Sequence, residues 1–224
     1  MGTPRTGRVV AALLAEHGRT YAEEAGITLR DQPSPLYRLL VLSVLLSARI
    51  SSSLAVAAAR ELGRAGWRTA DAMRRSSWRD RVAVLGRAGY RRFDERTATM
   101  LGDGAEMVLD AWGGDLRRLH EEAAGDVDAL RRGLRRLPGI GPVGSAVFCR
   151  EVQGVWPDVA PFADDRVLRG AQAAGLPTTA SGLARLVPPD DLPRLVAACV
   201  RVSLDPAAAE AVAASTGREG GRRS

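Results

Sequence analysis

The sequence contains no lysine, and all 32 of its basic residues are arginine. This excludes any mechanism that needs a lysine amine as nucleophile, because a guanidinium stays protonated and cannot attack. Cysteine is nearly absent as well. Cys149 and Cys199 stand alone, 50 residues apart, the first in the mainly apolar run Ala146–Cys149 and the second between Ala198 and Val200. They cannot supply a four-cysteine zinc or iron–sulfur site, and they read as buried free thiols. The two histidines, His17 and His120, lie in polar stretches without ligand spacing, so no metal site is read from the sequence. Aromatic residues make up only 4% of the chain, while Ala, Leu, Val and Arg dominate, a composition that favours helix over sheet. Long hydrophobic runs are missing too. The longest, Leu39–Ala48, is interrupted by Ser43 and Ser47 and is too short to cross a bilayer.

What is present suggests a folded, basic, helical protein. Of the 224 residues, 46% are hydrophobic, enough for a sizeable core, and the formal charge is +6. A positive balance suits an anionic partner such as nucleic acid, although charge alone is weak ground. At the N-terminus Arg8 precedes the apolar run Val9–Ala15, but Glu16 and His17 follow with no small-residue cleavage pattern. The opening Met-Gly-Thr-Pro-Arg-Thr fits only a loose myristoylation pattern that many proteins match by chance. A cytoplasmic protein without membrane attachment is expected.

Apolar residues recur at helical spacing nearly throughout, and no alternating strand pattern stands out. Residues 1–34 read as one helix and a polar loop ending in Asp31-Gln32-Pro33-Ser34-Pro35. Helices follow over about 36–48, 53–65, 69–75, 78–87 and 93–111, separated by Gly-rich or capping clusters. Two more precede a break at Leu137-Pro138-Gly139, and another runs from Pro142 to about Val152. A Pro-rich loop extends through Pro161, two or three helices complete the fold, and the polar, Gly-rich tail after Ser215 is expected to be disordered. No repeat of solenoid period appears.

The segment 126–151 carries the first functional signal. Asp126 suits the cap of a helix whose Val127, Leu130, Leu134 and Leu137 fall at core spacing. Arg131, Arg132, Arg135 and Arg136 form a basic flank between them. The helix stops at Pro138-Gly139-Ile140-Gly141, and Pro142 suits the first position of the next. Glycines on either side of an anchoring Ile140 permit positive φ and leave backbone N–H groups unobstructed. Such groups can converge on a phosphate. An ordinary helical hairpin with glycine caps explains the same letters.

Leu-Pro-Gly-Ile-Gly, followed by the small residues Gly144, Ser145 and Ala146 and preceded by arginines, closely resembles the hairpin of the helix-hairpin-helix DNA-binding families. Downstream comes Trp156-Pro157-Asp158-Val159-Ala160-Pro161-Phe162-Ala163-Asp164-Asp165-Arg166-Val167-Leu168-Arg169. Asp164 falls where the glycosylase branch of that superfamily, the endonuclease III-like group, places its catalytic aspartate. Val167 and Arg169 match positions that often follow it. Leu45-Leu46-Ser47-Ala48-Arg49 looks like the family's Leu-Leu-Ser-Ala-Gln helix end, and Gly89-Tyr90 like its mid-domain segment. The resemblance covers roughly residues 35–204.

The resemblance implies an all-α, two-lobed fold. Residues 35–135 would form a helical barrel-like domain, and 1–34 with 136–215 a second domain. The hairpin and Asp164 would face a cleft between them, with 216–224 a disordered tail. It implies a DNA N-glycosylase on double-stranded DNA, releasing damaged or mispaired bases in base-excision repair. DNA would be held by Gly139, Ile140, Gly141, Val143, Gly144, Ser145 and Arg49. Asp164 would stabilise an oxocarbenium-like transition state and position water. Asp165 competes for that role, and a plain helix cap is the bland account of either.

Two departures refine the expectation. Bifunctional members carry their lyase lysine two residues past the second hairpin glycine, where this chain has Val143, so a monofunctional enzyme is implied. The four cysteines of the family's iron–sulfur cluster are absent, so no such cluster is expected. A monovalent cation at the hairpin is the only ion the resemblance leaves room for, and a monomer associated with the nucleoid is the family's habit. Tyr37, Trp67, Tyr90 and Trp156 are candidates for stacking on a flipped base, though each also suits a core position. The alternative from another class is a non-catalytic helix-hairpin-helix protein that senses lesions or DNA structure.

Overall fold

The computed structural model describes residues 4–91 and 93–205, together with 207, 208 and 212. Every regular element among them is helical, so the protein is all-α as the composition and periodicity predict. The disordered tail expected over 216–224 lies outside the described residues. No helix among the described residues is long and apolar enough to cross a membrane. Backbone contacts divide the chain into two units, one of residues 21–155 and one joining the described residues of 1–20 to those from 156 onward.

In chain order α1 is Pro4–His17, α2 Tyr21–Glu24, α3 Pro33–Ser47, α4 Ser52–Arg64 and α5 Ala70–Arg75. Next come α6 Trp78–Arg87, α7 Asp94–Trp112, α8 Leu116–Ala123, α9 Val127–Leu134 and α10 Pro142–Val152. Helices α2 to α10 belong to the larger unit. Its axis is α3, where every residue from Leu39 to Leu45 is buried, Ser43 included. A helix apolar all round must be covered all round, and α4, α7, α8 and α10 pack against it. Ser43 fits because its hydroxyl donates to the Leu39 carbonyl at 2.9 Å, leaving no orphan polar atom.

Side-chain caps set many of the helix starts. Ser51, Thr69, Ser77, Asp115 and Asp126 each accept a backbone N–H of the helix that follows, a contribution of about 1 kcal/mol apiece. Arg81 is the one arginine of α6 that is buried. Its guanidinium donates to the carbonyls of Ala98 on α7 and of Met73 and Ser76 at the end of α5. Desolvation lowers its pKa from the usual guanidinium value. Carbonyls from the end of α5 and from α7 thus share one cation.

The division after Val155 differs from the sequence-based boundary near residue 135. Helix α10 packs on α3 and α9 and so belongs with the larger unit. The buried Glu151 carboxylate of α10 also accepts from the Tyr21 and Ala22 amides, at 3.1 and 3.0 Å. This ties the start of α2 to the same unit. The segment 21–34 therefore parts from α1, which the sequence had joined to it. It contains α2, and α3 starts at Pro33 inside the expected loop.

In the smaller unit α1 is joined by α11 (Asp165–Ala173), α12 (Ala180–Ala184), a 3-10 turn at Pro189–Asp191 and α13 (Leu192–Leu204). Helix α13 is the hub, packing against both α1 and α11. Its Leu195, Val196, Ala198 and Cys199 are almost wholly buried. Burial pushes the Cys149 and Cys199 thiols up to about 12, so both are inert neutral side chains.

Candidate nucleic-acid interface

In the larger unit α9 ends at Leu134, and the turn to α10 is held from beneath. Leu137 and Ile140 are buried, and the Ile140 amide donates to the Leu137 carbonyl at 3.1 Å. Gly139 between them has φ +81°, a conformation that favours glycine. Gly141 is different. At φ −95° and ψ −165° it is ordinary extended backbone, forming the N-cap of α10 with no side-chain cap of its own. Positive φ is thus required at only the first of the two hairpin glycines.

The amides of Val143 and Gly144 lie in the first turn of α10, where an α-helix offers them no partner of its own. Together with the helix dipole they favour an anion at this end. A Cβ at Gly141 would meet nothing within 4 Å, so the approach there is open. Val143 projects outward with 47% exposure. Ile140 and Ser145, by contrast, serve the hairpin from within. Ser145 is fully buried, its amide donates to the Gly141 carbonyl and its hydroxyl to that of Pro142. Its two donors are therefore engaged inside the hairpin.

The run of small residues after the turn has a packing cause. A Cβ on Gly144 would overlap the Ser47 hydroxyl and lie 3.3 Å from the Ser43 carbonyl, so α10 runs too close to α3 for a larger residue. Part of the basic flank is also engaged. Arg131 pairs with Asp128 at 3.4 Å, Arg132 with Asp126 at 3.3 Å, and the Arg136 guanidinium lies 5.9 Å from the centre of the Trp112 ring.

These environments separate the two glycines experimentally. Gly141→Val is expected to leave the melting temperature within a few degrees and, were the turn to face a DNA phosphate, would lower duplex affinity roughly tenfold by crowding the Val143 and Gly144 amides. Gly139→Val is expected to lose stability first, since its Cβ would meet Val44 Cγ1 at 3.0 Å and Met100 Sδ at 3.2 Å at a strained φ. Thermal melting and fluorescence anisotropy on the same samples check both. Unchanged affinity in folded Gly141→Val protein rejects the phosphate-facing turn.

Also in the larger unit, Arg49 and Gly139 line a cavity of about 620 Å³ with Tyr90, Phe93, Arg96, Thr97 and Met100. The Tyr90 hydroxyl lies 3.0 Å from that of Thr97, and both side chains are buried. Of the aromatic candidates, Tyr90 alone borders this cavity, while Tyr37 and Trp156 are only 2% exposed and belong to cores. Phe93, Arg96, Thr97 and Met100 went unread in the sequence. Their spacing of three, four and seven residues puts them on one face of α7, Phe93 being its N-cap, but nothing in that spacing distinguishes a cavity wall from a core stripe.

Asp164 belongs to the smaller unit. It is the N-cap of α11, half-buried, with Oδ1 accepting the Val167 amide at 3.3 Å. Its other oxygen makes no hydrogen bond among the described residues. Asp165 is exposed as the first residue of the helix and has no such anchor. A fixed carboxylate with one oxygen free can stabilise positive charge or take a proton from water. Of the two aspartates, Asp164 has that arrangement. No group of histidine, cysteine and carboxylate side chains suited to a metal ion occurs among the described residues.

No family model matches this sequence, and no curated protein does either.

Proposed function

We propose that the protein is a monofunctional DNA glycosylase with the two-lobed helix-hairpin-helix architecture. The observation that carries this reading is Asp164: a carboxylate held by one oxygen at the start of α11, about two dozen residues beyond a Gly-Ile-Gly turn with open backbone amides. Duplex DNA is the partner, gripped through its phosphates at the turn.

In the reaction, the bond between C1′ of the deoxyribose and the base nitrogen breaks and its electron pair leaves with the base. Positive charge develops on the sugar, and the Asp164 carboxylate stabilises it. Water then adds to C1′ and gives up a proton, which the same carboxylate accepts. The target base must first leave the stack.

Mass-spectrometric analysis of bases released from alkylated, deaminated and oxidised DNA tests the proposal. A released base names the substrate, and no release across the panel sinks the enzymatic reading. Chain cleavage through a Schiff base is a separate matter. Borohydride is expected to trap almost no adduct with abasic DNA, because Val143 stands at the lyase position and the chain has no lysine. A strong adduct that disappears on blocking the N-terminal amine would overturn that expectation.

A second reading has its own observation. The bond from the Val167 amide makes Asp164 a sound helix cap, which accounts for an aspartate there without chemistry. On this view the protein binds DNA and does not cut the glycosidic bond.

A further inference from the structure

The cavity beside the hairpin in the larger unit has a chemistry of its own. Its volume of about 620 Å³ lies within the range of roughly 300–1,000 Å³ typical of small-molecule sites. Val44, Phe93 and Met100 provide apolar and aromatic surface suited to the face of a flat ring. At the floor the hydroxyls of Tyr90 and Thr97 bond to each other. Arg49 and Arg96 are exposed, and neither forms an ion pair among the described residues. Among the described residues no carboxylate lines the cavity.

We propose that this cavity seats one unstacked nucleotide of a DNA strand, and that it accepts neutral, acceptor-bearing bases while rejecting cationic ones. The proposal rests on the DNA-binding reading of the hairpin. The base lies against Phe93 and Met100, and the guanidiniums of Arg49 and Arg96 serve the adjoining phosphate and the base's acceptor atoms. A base made cationic by alkylation would be taken from water into a site whose described lining carries two arginines and no carboxylate, the one acting on its floor being that of Asp94 outside the lining, which is unfavourable through both desolvation and repulsion. Deaminated, oxidised or mispaired neutral bases carry no such penalty.

The test uses the full chain and a short single strand of abasic residues carrying one base at its centre, read by fluorescence anisotropy. Adenine at the centre is expected to bind about tenfold more tightly than no base, a usual worth for one stacked base. N1-methyladenine, which is cationic, should bind no better than no base. The exposed Arg49→Ala and Arg96→Ala pair should lower the salt dependence of binding by about 0.7 in log–log slope, as for one lost phosphate contact on a single strand. Equal affinity with and without the central base overturns the cavity as a nucleotide seat, and equal affinity for the two adenines overturns its selectivity. If duplex binding still falls in Gly141→Val, only the cavity proposal is lost. If the protein binds neither strand nor duplex, the hairpin reading falls with it.

Discussion

Asp164→Asn protein is expected to fold and bind duplex DNA like the parent and to release damaged bases at least on the order of 10²–10³-fold more slowly. Asn and Asp are about equally good helix caps, so the bond to the Val167 amide survives the change. What disappears is the negative charge, which chemistry needs and capping does not. The pair Asp164→Asn and Asp164→Ala therefore separates the two roles. Alanine removes both charge and cap and should also cost about 1 kcal/mol of stability. Base release by mass spectrometry, with melting and duplex binding on the same preparations, reads all three quantities. Undiminished release from Asp164→Asn moves the chemistry elsewhere, with the adjacent Asp165 the next residue to replace.

Gly170→Ala is expected to be the most damaging single methyl group in the smaller unit. Its Cβ would overlap the Cys199 carbonyl oxygen and lie 2.6 Å from the Cys199 carbonyl carbon. Those atoms are backbone, so no rotamer change relieves the clash and α11 must move away from α13. Both helices present fully buried side chains at the contact, among them Val167, Ala171, Leu195 and Cys199, so separating them opens packed core. A loss of about 3 kcal/mol or more follows, or a fall of roughly 6–12 °C in melting temperature for a chain of this size. Because Asp164 caps α11, the displacement also carries the carboxylate with it. A melting temperature within 2 °C of the parent, roughly, would mean that the contact is looser than the structure indicates.

These two residues show different degrees of legibility. Asp164 stands out in the sequence through its resemblance to the family's aspartate, with Val167 and Arg169 at matching positions, and its cap role is a local preference of aspartate. Gly170 looks like any glycine that weakens a helix. The need for it comes from a helix 29 positions further along the chain, and local pattern holds no record of that neighbour. Phe93, Arg96, Thr97 and Met100 are a similar case. Their common face is visible, but the cavity on it needs Arg49 and Gly139 brought in from elsewhere. The arginines in and just after α9 were legible as a basic flank, yet the partners of Arg132 and Arg136, Asp126 and Trp112, set how much of that charge stays free.

By itself the sequence determined the helical class, most helix limits, the hairpin's glycines and the absence of lysine chemistry. Periodicity, capping and φ preference act over a few residues and leave their mark on neighbouring letters. Tertiary structure decided which unit owns the hairpin, through α10 packing on α3 and Glu151 holding the start of α2. It also decided which glycine is closed in and which is open. Gly139 and Gly141 are equivalent as letters, but Val44 and Met100 crowd the first while the second faces open space. The physical reason is common to both cases. Close packing is a relation between surfaces distant in the chain, fixed only once those surfaces meet.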